Sequence, residues 1–193
     1  MEDLELIENL KSGDGEAFKN VVDKYQRMVL NCTYKFLRNR ETAEDVTQDV
    51  FIELFESVHS FRGDSKLSTW IYKVAVSKSM NHLKSLKTKK RFAVLTSLFG
   101  KDDMGEEFSA SDEANQDKLL ENQERSRILA WALGKLPENQ RIAFTLSKNK
   151  EMSYEEISHV LNTTVSAVES LIHRAKENLK KRLYNYYQKN YRM

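Results

Sequence analysis

Apolar residues recur at steps of three and four along most of the chain, the spacing that lines one face of an α-helix. Leu4, Ile7 and Leu10 open the series and predict a short amphipathic helix over 3–12, stopped by Ser12-Gly13-Asp14-Gly15. Phe18, Val22, Tyr25, Val29, Cys32 and Phe36 predict a long helix from about Glu16 to Leu37. Asn39-Arg40-Glu41 reads as a turn, with Thr42 as the cap of the next helix. That helix, over 43–58, is lined by Val46, Val50, Leu54 and Val58 and widened by Phe51 and Phe55. Residues 59–69 read as a loop. From Leu67 another long helix runs, apolar on nearly every side through LSTWIYKVAV and polar after it.

Periodicity lapses across 93–118, which is acidic and rich in Ser, Gly and Asp and predicts a flexible, self-repelling linker. It returns near Lys118. Ile128, Leu129, Ala132, Leu133 and Leu136 form one stripe. Pro137 then opens a helix whose core face is Ile142, Ala143, Phe144 and Leu146. Residues 153–183 read as two helices joined by a very short polar turn. Ser153 and Glu156 have the spacing of a capping box. Tyr154, Ile157, Val160 and Leu161 give the first helix an apolar face; Val165, Val168, Ile172, Ala175 and Leu179 give the second a narrow stripe. Asn162-Thr163-Thr164 supplies a left-handed turn and a cap. Two helices crossed by such a turn, the second with a polar outer face, have the geometry that places side chains in a major groove; an ordinary helical hairpin with a solvated face fits the same window. The expected fold is all-α, with helical domains at 1–92 and 119–185, the acidic linker 93–118 between them and a tail at 186–193.

With one Pro and six Gly in 193 residues, long helices are barely interrupted. The single Cys32 excludes an internal disulfide, fits a reducing compartment and is expected to be a buried, inert thiol. No apolar run has the length of a membrane span, and the acidic start MEDLELIENL is unlike a signal peptide, so a cytoplasmic protein without membrane insertion is expected. The net charge of +2 conceals an asymmetry. Residues 125–193 carry 13 Lys and Arg against six Asp and Glu, while 93–124 carry two against nine. A basic end favours nucleic acid or another anionic surface. A second basic run lies in 77–91, where Lys78, Lys84, Lys87, Lys89, Lys90 and Arg91 occur without an acid. With Phe61, Trp70 and Tyr72 nearby it suits phosphates and unstacked bases, although core aromatics beside solubilising lysines read equally well. The acidic side of 43–58, with Glu44, Asp45, Gln48, Asp49, Glu53 and Glu56, is either a solvated face or a docking face for a basic partner. The glycines are scattered, the four His lie outside metal-ligand spacing and there is no CxxC, so neither catalysis nor a metal or cofactor is expected.

Two windows now match one family. DVTQDVFIELF with FRGDSKLSTWIYKVAVSKSMNHL resembles the second conserved region of bacterial sigma-70 factors. LPENQRIAFTLSKNKEMSYEEISHVLNTTVSAVESLIHRAKENLKKRL resembles their fourth region. The segment between leaves no room for a third domain, and the size resembles the extracytoplasmic-function (ECF) group. The resemblance implies a subunit that binds core RNA polymerase and directs it to promoters. It implies that 43–56 docks on the beta-prime coiled coil through Asp45, Gln48 and Asp49, with Phe51 and Phe55 as apolar contacts, which resolves the acidic face as a docking face. It also implies that the beta flap is a second contact. Loop 61–68 and the helix around Asn81 match the part that recognises and opens the −10 element. Phe61, Arg62, Asp64, Ser65, Lys78, Asn81, Lys84 and Lys87 are its candidates: Asn81 as a reader of a flipped base, the lysines as phosphate contacts.

The helix 165–181 matches the reader of the −35 element. Relatives often carry basic residues early in it, where this chain has Glu169 and Leu171. Its candidate readers are Ser166, Ser170 and His173, with Glu169 able to accept from a cytosine amino group and Arg174 and Lys176 set for phosphates. An anti-sigma factor covering these surfaces is the group's usual restraint. The competing class is a stand-alone helix-turn-helix regulator of duplex DNA, which explains 137–183 but not the acidic helix 43–56 or the stretch 61–91.

Overall fold

The computed structural model describes residues 2–96, 116–149 and 152–190, and side chains at all of these except 2–5, 87, 89–96 and 116–123. The described residues are helical without a strand and fall into two compact units, Met1–Glu106 and Glu107–Met193.

In the first unit, α1 (Glu2–Lys11), α2 (Gly15–Leu37), α3 (Arg40–Ser57) and α4 (Leu67–Thr96) follow in order, with a 3₁₀ turn at Val58–Ser60 before the loop to α4. The stripe of α2 closes on α3 and α4, and Tyr25, Val29, Cys32 and Phe36 are buried in it. Val46, Val50, Leu54 and Val58 meet them from α3 and the turn, and Leu67, Ile71, Tyr72, Ala75 and Val76 from α4. The interior is not wholly apolar. Thr47 Oγ1 donates to the Ala43 carbonyl at 2.6 Å, and Thr33 Oγ1 lies 3.1 Å from both that carbonyl and Thr47 Oγ1. A satisfied hydroxyl pair of this kind joins α2 to α3 without leaving a buried polar atom bare.

The cap of α3 differs from expectation. Asn39, extended at φ −127°, ψ 131°, accepts from the Thr42 N–H at 2.8 Å, so the helix starts at Arg40. Asn is among the strongest N-cap residues, and placed three residues ahead of Thr42 it takes the role first. Of the linker expected at 93–118, residues 93–96 continue α4, 116–118 open α5, and 97–115 lie outside the described residues.

The second unit holds α5 (Gln116–Gly134), α6 (Glu138–Ser147), α7 (Tyr154–Leu161) and α8 (Val165–Asn190). Pro137 is the N-cap residue of α6, one position earlier than expected. The capping box of α7 is formed in both directions: Ser153 N–H donates to Glu156 Oε2 at 2.8 Å, and Glu156 N–H to Ser153 Oγ at 3.2 Å. Asn162 ends α7 in the left-handed region at φ 51°, ψ 52°. Thr164 Oγ1 then accepts from the Ala167 N–H at 3.2 Å and caps α8. Ala132, Leu136, Ala175 and Leu179 form a buried cluster against which Leu133, Phe144 and Leu183 pack. An Asn178 to Gln140 hydrogen bond of 2.8 Å ties α8 to α6. Asn185–Asn190, in and beyond the expected domain end, continue α8.

Candidate functional site

Helical phase at about 100° per residue sorts α3 into two faces. Ala43, Val46, Thr47, Val50, Phe51 and Leu54 are buried on one. On the other, Asp45, Gln48, Asp49 and Glu56 are exposed, and Ile52 sits among them at 55% exposure. Phe55 flanks this strip, 45% exposed, with its edge against Phe18 of α2 at 5.2 Å between centroids. Large apolar residues left open within an acidic strip have no reason in the fold of this unit. Phe51, expected on the same face, is instead 6% exposed: one residue before Ile52, it lies about 100° away and points into the core. Ile52 was not singled out from the sequence, although helical phase already sets it with Asp45, Gln48 and Asp49, opposite the apolar line.

The other flank of the strip meets α4. Glu53 Oε2 and Lys78 Nζ are 3.0 Å apart, both partly exposed. Lys78, expected among the phosphate contacts, is thus ion-paired across the two helices. Beyond it, α4 presents Lys73, Ser77, Asn81, Lys84 and Thr88, all exposed, along one line by helical phase. Half-buried Trp70 lies on the same line, one or two turns nearer the loop. The Lys87 side chain lies outside the described residues.

The loop begins at Phe61. Its ring is buried at 6% exposure and packs on Trp70 with centroids 5.0 Å apart, so Phe61 supports the loop from beneath and is not itself on the surface. Arg62 and Asp64 are exposed and Ser65 half-exposed, around Gly63 at φ +80°, a conformation that favours glycine. The structure therefore joins Arg62, Asp64 and Ser65 of the loop with Asn81 and Lys84 of α4 in one unit, but leaves Phe51 and Phe61 below its surface.

In the second unit, Ser166, Ser170 and His173 are exposed and run down the centre of the outer face of α8. Val168, Ile172, Ala175 and Leu179 are buried on the opposite side. Arg174 and Lys176 are exposed near +80° and −80° of that centre line, on opposite flanks. Cations on both flanks with short polar groups between them match a groove whose two walls are phosphate. Glu169 lies on the Lys176 flank, off the centre. The same face carries Glu177, Lys180 and Lys181, also exposed. A separate aromatic surface is formed by α5 and the far end of α8. Trp131, 39% exposed, leans on Tyr186 at 5.5 Å, and Tyr187 meets Tyr186 edge-on at 5.8 Å. Leu129 and Tyr184 are exposed beside them in sequence.

Among the described residues no cluster of His, Cys, Asp and Glu could hold a metal ion, and no helix is long and apolar enough to cross a membrane. Cys32 is buried, and burial pushes its thiol up to about 12 against a weaker opposing pull from Lys35.

Comparison with known proteins follows this division. Residues 21–89 match the family model for sigma-70 region 2, and 126–179 the model for sigma-70 region 4. The RNA polymerase sigma-H factor of Pseudomonas aeruginosa is 33% identical over 189 residues, with 94% of each chain covered. The ECF RNA polymerase sigma-E factor of Haemophilus influenzae is 30% identical over 182 residues, covering 94% of this chain and 95% of that one. The sigma-E factor of Escherichia coli K12 is 30% identical with 89% of each chain covered. In fold the chain is similar to CnrH, solved with the cytosolic domain of CnrY, at a TM-score of 0.64 and 22% identity over 95% of this chain and 97% of that one. It is also similar to the sigma factor RpoE of Bartonella quintana, solved with the anti-sigma factor NepR, at 0.57 and 19% over 86% and 96%.

Proposed function

The chain belongs to the sigma-70 family of bacterial RNA polymerase sigma factors, in its extracytoplasmic-function group, and from that premise we propose how its two units divide the work of promoter-specific initiation. The role is binding in the cytoplasm, without catalysis and without a cofactor. The α3 strip of Asp45, Gln48, Asp49, Ile52 and Phe55 docks core RNA polymerase on the beta-prime coiled coil. The loop residues Arg62, Asp64 and Ser65, with Asn81, read and open the −10 element. A base leaving the stack there costs a few kcal/mol, which hydrogen bonds to its edge and a close-fitting wall must offset. Lys84 and Lys87 hold the backbone, setting register and salt dependence but no sequence. The centre of α8 reads the −35 element, and the surface of Leu129, Trp131 and Tyr184 meets the beta flap. Two readers on one chain make the second contact nearly intramolecular, so two weak sites act as one selective complex. An anti-sigma factor is the expected competitor for these same surfaces.

The observation that carries this reading is the exposure of Ile52 and Phe55 within an acidic strip. A regulator that bound only duplex DNA would have no use for it, since acid repels phosphate. Asp49→Arg tests it: core polymerase binding is lost in a pull-down while affinity for a nonspecific duplex is unchanged or raised. Undiminished core binding by the variant would overturn the docking assignment.

A further inference from the structure

Helix α1 is left without a task by this reading, and it lies ahead of the residues matched to region 2, which begin at 21. It is nonetheless built into the unit. Ile7 and Leu10 are 6% and 5% exposed, and α1 packs on α2 and on the 3₁₀ turn at Val58–Ser60. Its last residue, Lys11, donates from Nζ to the carbonyl oxygen of Phe61 at 3.1 Å, across 50 positions of sequence. Phe61 is held at two further points. Its N–H donates to the Val58 carbonyl at 3.1 Å, and its ring packs on Trp70. Immediately after it the chain enters the mostly exposed stretch Arg62–Lys66, which lies outside any helix, with Gly63 at φ +80°.

We propose that α1 braces the −10 loop and that Lys11 is its positioning residue, fixing the Phe61 carbonyl from which the loop departs. The proposal rests on the reading of 61–66 as part of the −10 site. A site that captures a flipped base needs its groups held to about half an ångström, and a flexible loop reaches that only if its ends are anchored. The Phe61 ring and N–H fix where the chain leaves α3. Neither fixes the peptide plane between Phe61 and Arg62, which sets the direction of the loop, and Lys11 holds the oxygen of that plane. The bond is charge-assisted and half-buried, stronger than a neutral one.

Lys11→Met keeps the stem and removes the donor; Lys11→Arg keeps a donor. In the full chain, amide hydrogen exchange over 61–66 should rise about tenfold in Lys11→Met, with α2, α3 and the first half of α4 unchanged, and return toward wild type in Lys11→Arg. Core polymerase affinity should not move. Permanganate reactivity of −10 thymines, on a promoter fragment mapped from transcripts made with the wild-type protein, should fall at least about tenfold for Lys11→Met at equal occupancy of core, the low end expected for one charge-assisted hydrogen bond. Unchanged exchange over 61–66 would overturn the brace. Raised exchange with unchanged thymine reactivity would overturn the positioning role and leave Lys11 a merely structural contact. If the wild-type protein opens no promoter at all, the −10 reading fails, and the positioning role with it, while the exchange result still decides whether α1 holds the loop.

Discussion

Phe51 and Phe55 stand one helical turn apart on α3, and truncating each should break a different property. Phe55 is 45% exposed in the free chain. A Phe has roughly 200 Å² to bury, so about 90 Å² remains available to a partner, worth up to about 2 kcal/mol at about 25 cal/mol per Å². Phe55→Ala should therefore weaken core polymerase binding by up to about 30-fold. Its cost to the fold is the roughly 110 Å² already buried, the edge contact with Phe18 at 5.2 Å included, up to about 2–3 kcal/mol and below that of Phe51. Phe51 is 6% exposed, and Phe51→Ala should cost about 3–5 kcal/mol of stability, a large share of what a domain of this size holds. Calorimetry of the full chain reads the fold: the transition of the first unit should drop by at least about 15 °C in Phe51→Ala and by clearly less in Phe55→Ala. Anisotropy of an N-terminally labelled chain titrated with core polymerase reads docking. Phe55→Ala binding core as tightly as wild type, or Phe51→Ala melting as wild type does, would refute the assignment of the two faces.

Asn162 holds a left-handed conformation at φ 51°, so Asn162→Val should destabilise the second unit by about 1–2 kcal/mol while Asn162→Gly is tolerated, as thermal melts will read. The Cys32 thiol is raised in the folded state, so it favours folding fully below its unfolded value of 9.0 and loses that contribution as pH climbs toward about 12. The wild-type chain should therefore lose stability over that window faster than Cys32→Ala does in denaturant titrations, and a thiol reagent at neutral pH should react only after unfolding. Lys84→Gln should weaken binding to single strands of any sequence and reduce the salt slope by about 0.7, measured by titration at several salt concentrations.

Most of the stripes that bury α2, α3 and α8 were legible because helical burial repeats in the sequence with the period of the helix, although Val165 at the head of the α8 stripe is 40% exposed and Phe18 and Val22 of α2 are only half-buried. Cys32, Val50 and Ile172 all lie where that period puts them, at 2%, 0% and 3% exposure. The box at Ser153 and the turn at Asn162 were legible for a different reason: both are local, set by residues within four positions of each other. What was not legible depends on contacts between distant segments. Lys11 to Phe61 and Glu53 to Lys78 have no mark in the spacing of either partner. Phe61 read as an aromatic of the nucleic-acid surface because nothing in the sequence puts Trp70 over it. Phe51 lies at the rim of the α3 stripe, and the packing of α2 and α4 decides that it is covered, whereas Ile52 lies by helical phase with Asp45, Gln48 and Asp49, so its place on the acidic face was legible. For the DNA surfaces the charge pattern and the resemblance to regions 2 and 4 carried the residue choices, and the structure adds how they group: loop with α4, and centre with flanks on α8.

The most direct measurement is run-off transcription with purified core RNA polymerase on fragmented genomic DNA of the source bacterium, with and without this protein. Discrete transcripts that depend on the protein, whose start sites share a −10 and a −35 sequence, are the expected result. Core polymerase that neither binds the protein nor starts a single new transcript with it would contradict the assignment of α3 as a docking face and leave a duplex-binding regulator in its place.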